Sequence, residues 1–187
     1  MLIDTHCHIL PNIDDGAGSL EESIAMAKGA VLNDIGVIVA TPHYGKGKYV
    51  NDAKSIELKV SQMNAALESV KVNLTVITGQ EIHVRKSIVE ELYTGKLTTI
   101  NQSRFMILEL PSYGIPTNFH DLLYELSILQ IVPVIAHPER NFGFLKNKSS
   151  IRSFFDQGVL FQVTASSLLG AHGRKYRISQ LNCVKVG

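Results

Sequence analysis

The chain has no tryptophan, only two cysteines and only 7% aromatic residues among its 187 positions. Cys7 and Cys183 cannot build a disulfide framework, so nothing points to an oxidising compartment. Neither sign of charge is in excess, with 18 Lys+Arg against 17 Asp+Glu. Nucleic acid or an anionic membrane surface would call for clustered surplus cations, and the balance argues against both as partners. No apolar run approaches the roughly 20 residues of a membrane span, so membrane insertion is not expected. The N-terminus shows no charged region followed by an apolar one, and no signal peptide is expected either. These absences lead us to expect a cytoplasmic chain. There is also no low-complexity tract and no evident linker. A hydrophobic content of 45% is enough for one core, so residues 1–187 are expected to form a single domain.

What is present is a regular alternation of strand and helix patterns. Leu2–His8 reads as a strand, and Ser19-Leu20-Glu21-Glu22 is a capping box that starts a helix. That helix is expected to bury Ile24, Ala27 and Val31 and to end at Gly36. Val37–Thr41 is an unbroken apolar run, as in a strand covered on both faces of a parallel sheet. Ile56, Val60, Met63, Leu67 and Val70 mark a second helical stripe. A strand at Leu74–Thr78, a short helix around Ile88–Tyr93 and a strand at Phe105–Leu110 follow. Next come a helix with Leu122, Leu123, Leu126 and Leu129 inward and a strand at Val132–Ala136. The pattern closes with a helix at Ile151–Gln157, a strand at Gly158–Thr164 and a last helix at Arg174–Val186. Repeats of roughly 25–35 residues in this order are parallel βα units. Lacking a Gly-rich phosphate turn, they favour a barrel-like arrangement over an open nucleotide-binding sheet. Gly-Lys-Gly-Lys at 45–48 lacks the spacing and the Lys-Ser/Thr ending of a phosphate loop, and reads as a solvated loop.

In a parallel barrel the functional site gathers at the C-terminal ends of the strands. Here the first strand ends in His6-Cys7-His8, the second in Thr41-Pro42-His43 and the third in Gly79-Gln80-Glu81. The fourth ends with Glu109 and the fifth with His137-Pro138-Glu139-Arg140. Strand alternation puts His6 and His8 on one face. Two imidazoles on one strand are hard to satisfy as structural groups, and the other strand ends bring matching ligands. Imidazole with carboxylate and no thiolate suits manganese, iron or zinc, and disfavours a purely structural zinc. With this many ligands two or more ions are expected, and a carboxylate such as Glu81 could bridge a pair roughly 3.5–4 Å apart. Such pairs suit phosphate monoesters, which are among the slowest bonds to hydrolyse unaided. Arg140 is placed to grip a phosphate bidentately, or else to pair with Glu139. Asp14-Asp15-Gly16 either makes a turn only or adds a carboxylate above the site. His83, His120 and His172 lie off the strand-end pattern and read as surface or core histidines.

The ordered set Ile-Asp-Thr-His-Cys-His-Ile-Leu-Pro at 3–11, Asp-Asp-Gly-Ala-Gly at 14–18 and Ala-Thr-Pro-His at 40–43 resembles the PHP superfamily. Gly-Gln-Glu-Ile at 79–82 and Val-Ile-Ala-His-Pro-Glu-Arg-Asn at 134–141 extend the likeness. More narrowly, the chain is similar to the manganese-dependent protein tyrosine phosphatases of bacterial capsule and exopolysaccharide operons. The resemblance implies a distorted (β/α)7 TIM-like PHP barrel holding up to three ions, manganese or alternatively iron or zinc. It implies His6, His8 and Glu81 on the first ion, Glu81, Glu109 and His137 on the second, and Asp15 with His43 on the third. Arg140 would bind the phosphate of phosphotyrosine, and the substrate would be the tyrosine-rich tail of a bacterial tyrosine kinase. The family continues past a helix such as Arg174–Val186 into a seventh strand carrying Asp-x-His. On this resemblance the chain is a single phosphatase domain, incomplete at its C-terminus for want of the last βα unit. The first and third ions would then each be one ligand short. A PHP phosphoesterase acting on a small phosphate ester and a non-catalytic remnant that still binds the kinase tail are the alternatives. The TatD-type metal nucleases share the first-strand His-x-His but fit Thr41-Pro42-His43 and Glu109 less well.

Overall fold

The structure, a computed structural model, describes residues 1–147 and 149–170. Its strands are β1 (Leu2–Cys7), β2 (Ile35–Ala40), β3 (His43–Tyr44), β4 (Thr75–Thr78), β5 (Glu81–His83), β6 (Phe105–Glu109), β7 (Val132–Ala136) and β8 (Leu160–Gln162). The helices are α1 (Leu20–Leu32), α2 (Ala53–Ser69), α3 (Ile88–Tyr93), α4 (Phe119–Ile128), α5 (Phe142–Lys146), α6 (Ser149–Asp156) and α7 (Ala165–Leu168). The result is a mixed α/β fold with parallel strand pairing. The expected last helix, together with His172 and Cys183, lies outside the described residues. Among the described residues no helix is long and apolar enough to cross a membrane. Two units divide the chain: Met1–Ile82 with Glu90–Met106, and His83–Val89 with the residues from Ile107 onward.

The first unit is built on a parallel sheet in the order β1-β2-β4. The apolar stripes of the sequence become its core: Ala27 of α1 and Ile56, Met63 and Leu67 of α2 pack with Ile38 and Val76 of the strands. Each of the larger side chains among these, Ile, Met, Leu and Val, contributes about 1.5–3 kcal/mol when fully buried. Ser19 caps α1 by accepting from the Glu22 backbone N–H, while the Glu22 carboxylate reaches back to the N–H of Gly18. The far end of α1 corrects an expectation. The helix stops at Leu32, and Asp34, at φ 61°, makes the left-handed turn assigned above to Gly36. Asp tolerates that conformation because its short polar side chain bonds locally. Gly36 instead lies within β2, where a Cβ would run into the Met1 side chain. Val31 and Val70 are exposed rather than buried: Val31 lies in the last turn of α1 and Val70 is the C-cap of α2. The sheet edge at β4 is closed by a side chain: Asn64 of α2 donates to the Val76 carbonyl at 2.8 Å and accepts from its N–H at 2.9 Å. An edge strand is thereby paired without another strand.

Two strands went unread in the sequence, β3 and β5, because two and three residues carry no periodicity. They pair in parallel with His43 beside Glu81 and Tyr44 beside Ile82. The third expected strand therefore does not run on to Glu81; β4 stops at Thr78, and a turn through Gly79 starts β5. A Cβ on Gly79 would lie 2.6 Å from Val39 Cγ1 and 3.2 Å from the Ala40 carbonyl oxygen, so the turn needs glycine for close approach. Gln80 is buried and holds the turn by donating to the carbonyl of Asn51 and accepting from the N–H of Thr98.

The second unit has strands β6, β7 and β8 in that order, with β7 and β8 parallel. Its core joins Phe119 and Leu126 of α4 to Ile135 of β7, and Phe144 of α5 to Phe154 of α6. The phenyl rings of Phe119 and Phe144 both meet Phe154 edge to face, a geometry favoured by their quadrupoles. Leu129, expected inward, caps α4 and is half-buried. The last expected strand is shorter than its apolar run: Gly158 turns at φ 85° and only Leu160–Gln162 pairs.

Candidate metal centre

In the first unit three imidazoles, two from the end of β1 and one from β3, converge on one carboxylate oxygen. Glu81 Oε2 lies 3.4 Å from His6 Nε2, 3.3 Å from His8 Nε2 and 2.8 Å from His43 Nδ1. The His6 and His8 rings are 5.4 Å apart, as expected for residues on one strand face. A register shift in β1 between Asp4 and Cys7 falls beside His6, the kind of bulge that re-aims a side chain next to a site. Glu81 is fully buried and arrives next to His43 because β3 and β5 are in register there. His6, His8 and Glu81 offer ligand atoms within 4.8 Å of one another, and so do His8, Asp15 and His43.

The loop after β1 completes this arrangement. Asp14 Oδ2 sits 2.7 Å from His8 Nδ1 and accepts from the His43 backbone N–H at 3.1 Å, while Oδ1 accepts from the N–H of Gly16. Asp14 thus occupies His8 Nδ1 and leaves Nε2 turned to Glu81, the outer-shell support that metal-binding histidines need. Asp15 is largely exposed, with Oδ1 3.3 Å from His43 Nε2 and 3.9 Å from His8 Nδ1. With that nitrogen of His8 held by Asp14, Asp15 and His43 are left as the natural pair of a second position. A side chain at Gly16 would collide with the His8 backbone, so only glycine lets the loop fold back on the strand.

The electrostatics favour a cation. Burial by itself pulls the His8 imidazolium down, but the carboxylates of Asp14 and Glu81 outweigh it and push its pKa up to about 10. Burial likewise pushes the Asp14 carboxyl up, and the His8 contact and the Gly16 and His43 N–H groups outweigh it, leaving it below the usual range. Such surroundings stabilise positive charge strongly, and a divalent ion supplies it while leaving the imidazoles neutral. The donor set therefore fits a metal. Cys7 is no ligand candidate: burial, then Asp4 and Asp14, push its thiol up to about 12, far from the thiolate that binds metals.

The other expected residues lie in the second unit. Glu109 ends β6, its Oε1 3.9 Å from His137 Nε2 and its Oε2 3.3 Å from His83 Nδ1. His137 follows β7 in a left-handed conformation at φ 34°, uncommon for a residue other than glycine. Its N–H donates to the Gln162 carbonyl at 2.8 Å, extending the β7–β8 ladder by a residue. Arg140 closes the turn that follows; its Nε is 3.9 Å from Glu139 Oε1, the outer limit of an ion pair, and its side chain is 39% exposed. Glu139 is fully buried, and its Oε1 accepts from Ser167 Oγ at 3.0 Å and from the Thr164 N–H at 3.3 Å.

Three residues that the sequence does not single out stand against these side chains. His83, taken for a surface or core histidine, touches Glu109; the signal was its place two residues after Glu81 on the same strand. Asp14 was passed over in favour of Asp15, and nothing local separates two adjacent aspartates before a glycine. Lys46 belongs to a loop read as solvated, yet it is half-buried with Nζ 3.1 Å from His43 Nε2. His120 is, as expected, at the surface, near Gln157 and stacked on Phe154.

The family model for capsular polysaccharide synthesis, CpsB/CapC, matches residues 2–186. The tyrosine-protein phosphatase YwqE of Bacillus subtilis (strain 168) is 36% identical over 184 residues, which are 98% of this chain and 72% of YwqE. The tyrosine-protein phosphatase CpsB of Streptococcus pneumoniae is 30% identical over 164 residues, 88% of this chain and 68% of the relative. A chain from the crystal structures of YwqE and CpsB, which are metal-dependent tyrosine phosphatases, superposes with a TM-score of 0.95. That match has 36% identity and covers 98% of this chain and 74% of the other.

Proposed function

The chain belongs to the CpsB/CapC family of capsular polysaccharide synthesis proteins, and on that footing we propose that it hydrolyses phosphotyrosine in a metal-dependent reaction serving capsule or exopolysaccharide biosynthesis. The observation that carries this reading is the convergence of three imidazole nitrogens on one buried oxygen of Glu81. His6, His8 and Glu81 would hold one ion, Asp15 and His43 another, and Glu109 with His137 a third. Manganese is the proposed ion, with iron or zinc as alternatives, because the donors are nitrogen and oxygen without thiolate. Bound there, such ions supply Lewis acidity and an activated water for in-line displacement at phosphorus. The chain's own residues hold the reactants: Asp14 fixes the His8 ring, Glu81 balances positive charge, and the Arg140 guanidinium binds phosphoryl oxygens in a charge-assisted pair. The proposed substrate is the tyrosine-rich tail of a bacterial tyrosine kinase, met in the cytoplasm. For the architecture we propose one phosphatase domain of the distorted (β/α) PHP-barrel type; the strand–helix alternation and the parallel pairing support it.

Phosphate release from a phosphotyrosine peptide tests the reading. The purified chain with Mn²⁺ is expected to release phosphate from the peptide faster than from a small ester such as histidinol phosphate, and to stop when a chelator is added. A metal-loaded chain that leaves the peptide intact would overturn the proposal, and preference for the small ester would change the substrate.

A further inference from the structure

We infer that His83 is a positioning residue for the ion proposed on Glu109 and His137, a role that rests on the metal-dependent reading above. All three residues belong to the second unit. His83 is the last residue of β5, and its ring reaches the end of β6 because the backbones are tied there: the Val84 N–H donates to the Glu109 carbonyl at 2.9 Å. The strand end is held from the other side as well. Arg85 donates from Nη1 to the His83 carbonyl at 3.4 Å and from Nε to Ser87 Oγ at 3.1 Å. In this setting His83 Nδ1 lies 3.3 Å from Glu109 Oε2. An ionised carboxylate only accepts, so Nδ1 carries the proton of this bond. The other oxygen, Oε1, faces His137 Nε2 at 3.9 Å, too far for a hydrogen bond. The two oxygens of Glu109 therefore face different histidines, one before β6 in the chain and one after it.

A glutamate side chain rotates about several bonds, and metal binding must bear the entropy of stopping it. A proton donor fixed on one oxygen stops that rotation beforehand and presents the other oxygen end-on. Ligating carboxylates are commonly held by a neighbouring group in this way. Asp14 does the same for His8 with the chemistry exchanged: there an acid orients an imidazole, and here an imidazole orients an acid. The nitrogen of His83 nearest Glu109 is protonated and so cannot itself bind a cation. His83 acts through Glu109.

Titration of the chain with Mn²⁺, free ion being followed by electron paramagnetic resonance, tests this assignment. Glu109→Gln identifies the class of ion that depends on this carboxylate. His83→Ala is expected to weaken that same class about ten- to a hundred-fold, the scale for losing a group that orients a ligand, and to leave the other ions unchanged. His83→Asn should recover most of the affinity, because its Nδ2 stands as many bonds from the backbone as the imidazole Nδ1. Adding His83→Ala to Glu109→Gln should weaken Mn²⁺ no further, since the two residues act as one. The His83 side chain is 28% exposed, so its truncation is expected to leave the urea midpoint of the chelator-treated chain where it was. Wild-type Mn²⁺ affinity in His83→Ala, with or without a lowered midpoint, would overturn the inference. So would an asparagine as weak as the alanine, or a further loss in the double variant. If the wild-type chain binds no Mn²⁺, or Glu109→Gln binds it undiminished, the metal reading of these residues falls first and this inference with it.

Discussion

Glu81 collects His6, His8 and His43 on a single oxygen, and no other acid in the described part of the first unit is so deeply enclosed by imidazoles. Its charge is therefore the group whose removal should be felt most. Glu81→Gln keeps the shape but not the anion, and it is expected to lower manganese per chain in elemental analysis, as is His6→Ala. Arg140→Ala is expected to spare the metal and weaken phosphate binding, because a guanidinium recognises anions and ligates no cation. Equal metal loss in Arg140→Ala would contradict that division of roles. The donor types were legible at this scale, since His, Asp and Glu announce their chemistry wherever they stand. Which of two neighbours serves was not: Asp14 and Asp15 look alike until one is seen on His8 Nδ1 and the other near His43 Nε2.

Among the elements, the long ones follow from their apolar spacing and the short ones do not. α2 runs where its stripe of Ile56, Val60, Met63 and Leu67 places it, and Asp52 caps it by accepting from the Ser55 N–H at 2.8 Å. β3 and β5 exist only because the chain between them returns His43 and Glu81 to the same register. Asn64 shows how much one side chain can do for an element, since it satisfies both the N–H and the carbonyl of Val76 at the edge of β4. Asn64→Ala leaves both groups without that partner and is expected to destabilise the chain by about 1–3 kcal/mol, read as a lower urea midpoint with an unchanged slope. An unmoved midpoint would mean that water replaces the amide at no cost. No periodicity identifies such a residue, as an asparagine on a helix face reads as ordinary surface.

At the scale of the whole molecule, the buried charges link stability to pH. His8 is raised from 6.5 to about 10, so between these values the folded chain holds a proton that the unfolded chain releases. Its contribution is complete below 6.5 and disappears as the pH rises through about 10. Asp14 acts in the opposite sense: held below 3.8, it stabilises above that value and loses its effect on acidification through its lower folded pKa. The chelator-treated chain is accordingly expected to unfold at lower temperature as the pH climbs from 6.5 toward 10, measured by circular dichroism. Replacing His8 by Asn should flatten that slope, and a slope unaltered by the replacement would sink the assignment.

The residues alone determined the alternation of helices and strands, the oxygen and nitrogen character of the donors, and the family resemblance, because periodicity and side-chain chemistry are local properties of a chain. Tertiary structure decided which nitrogen of His8 meets Asp14, that His83 stands against Glu109, and that Lys46 turns in while Lys48 stays out. Those outcomes depend on the register of paired strands and on turns at Gly45, Gly47 and Gly79, where segments distant in sequence meet. Contacts of that kind are set by the path of the backbone, and the spacing of residues along it carries no record of them.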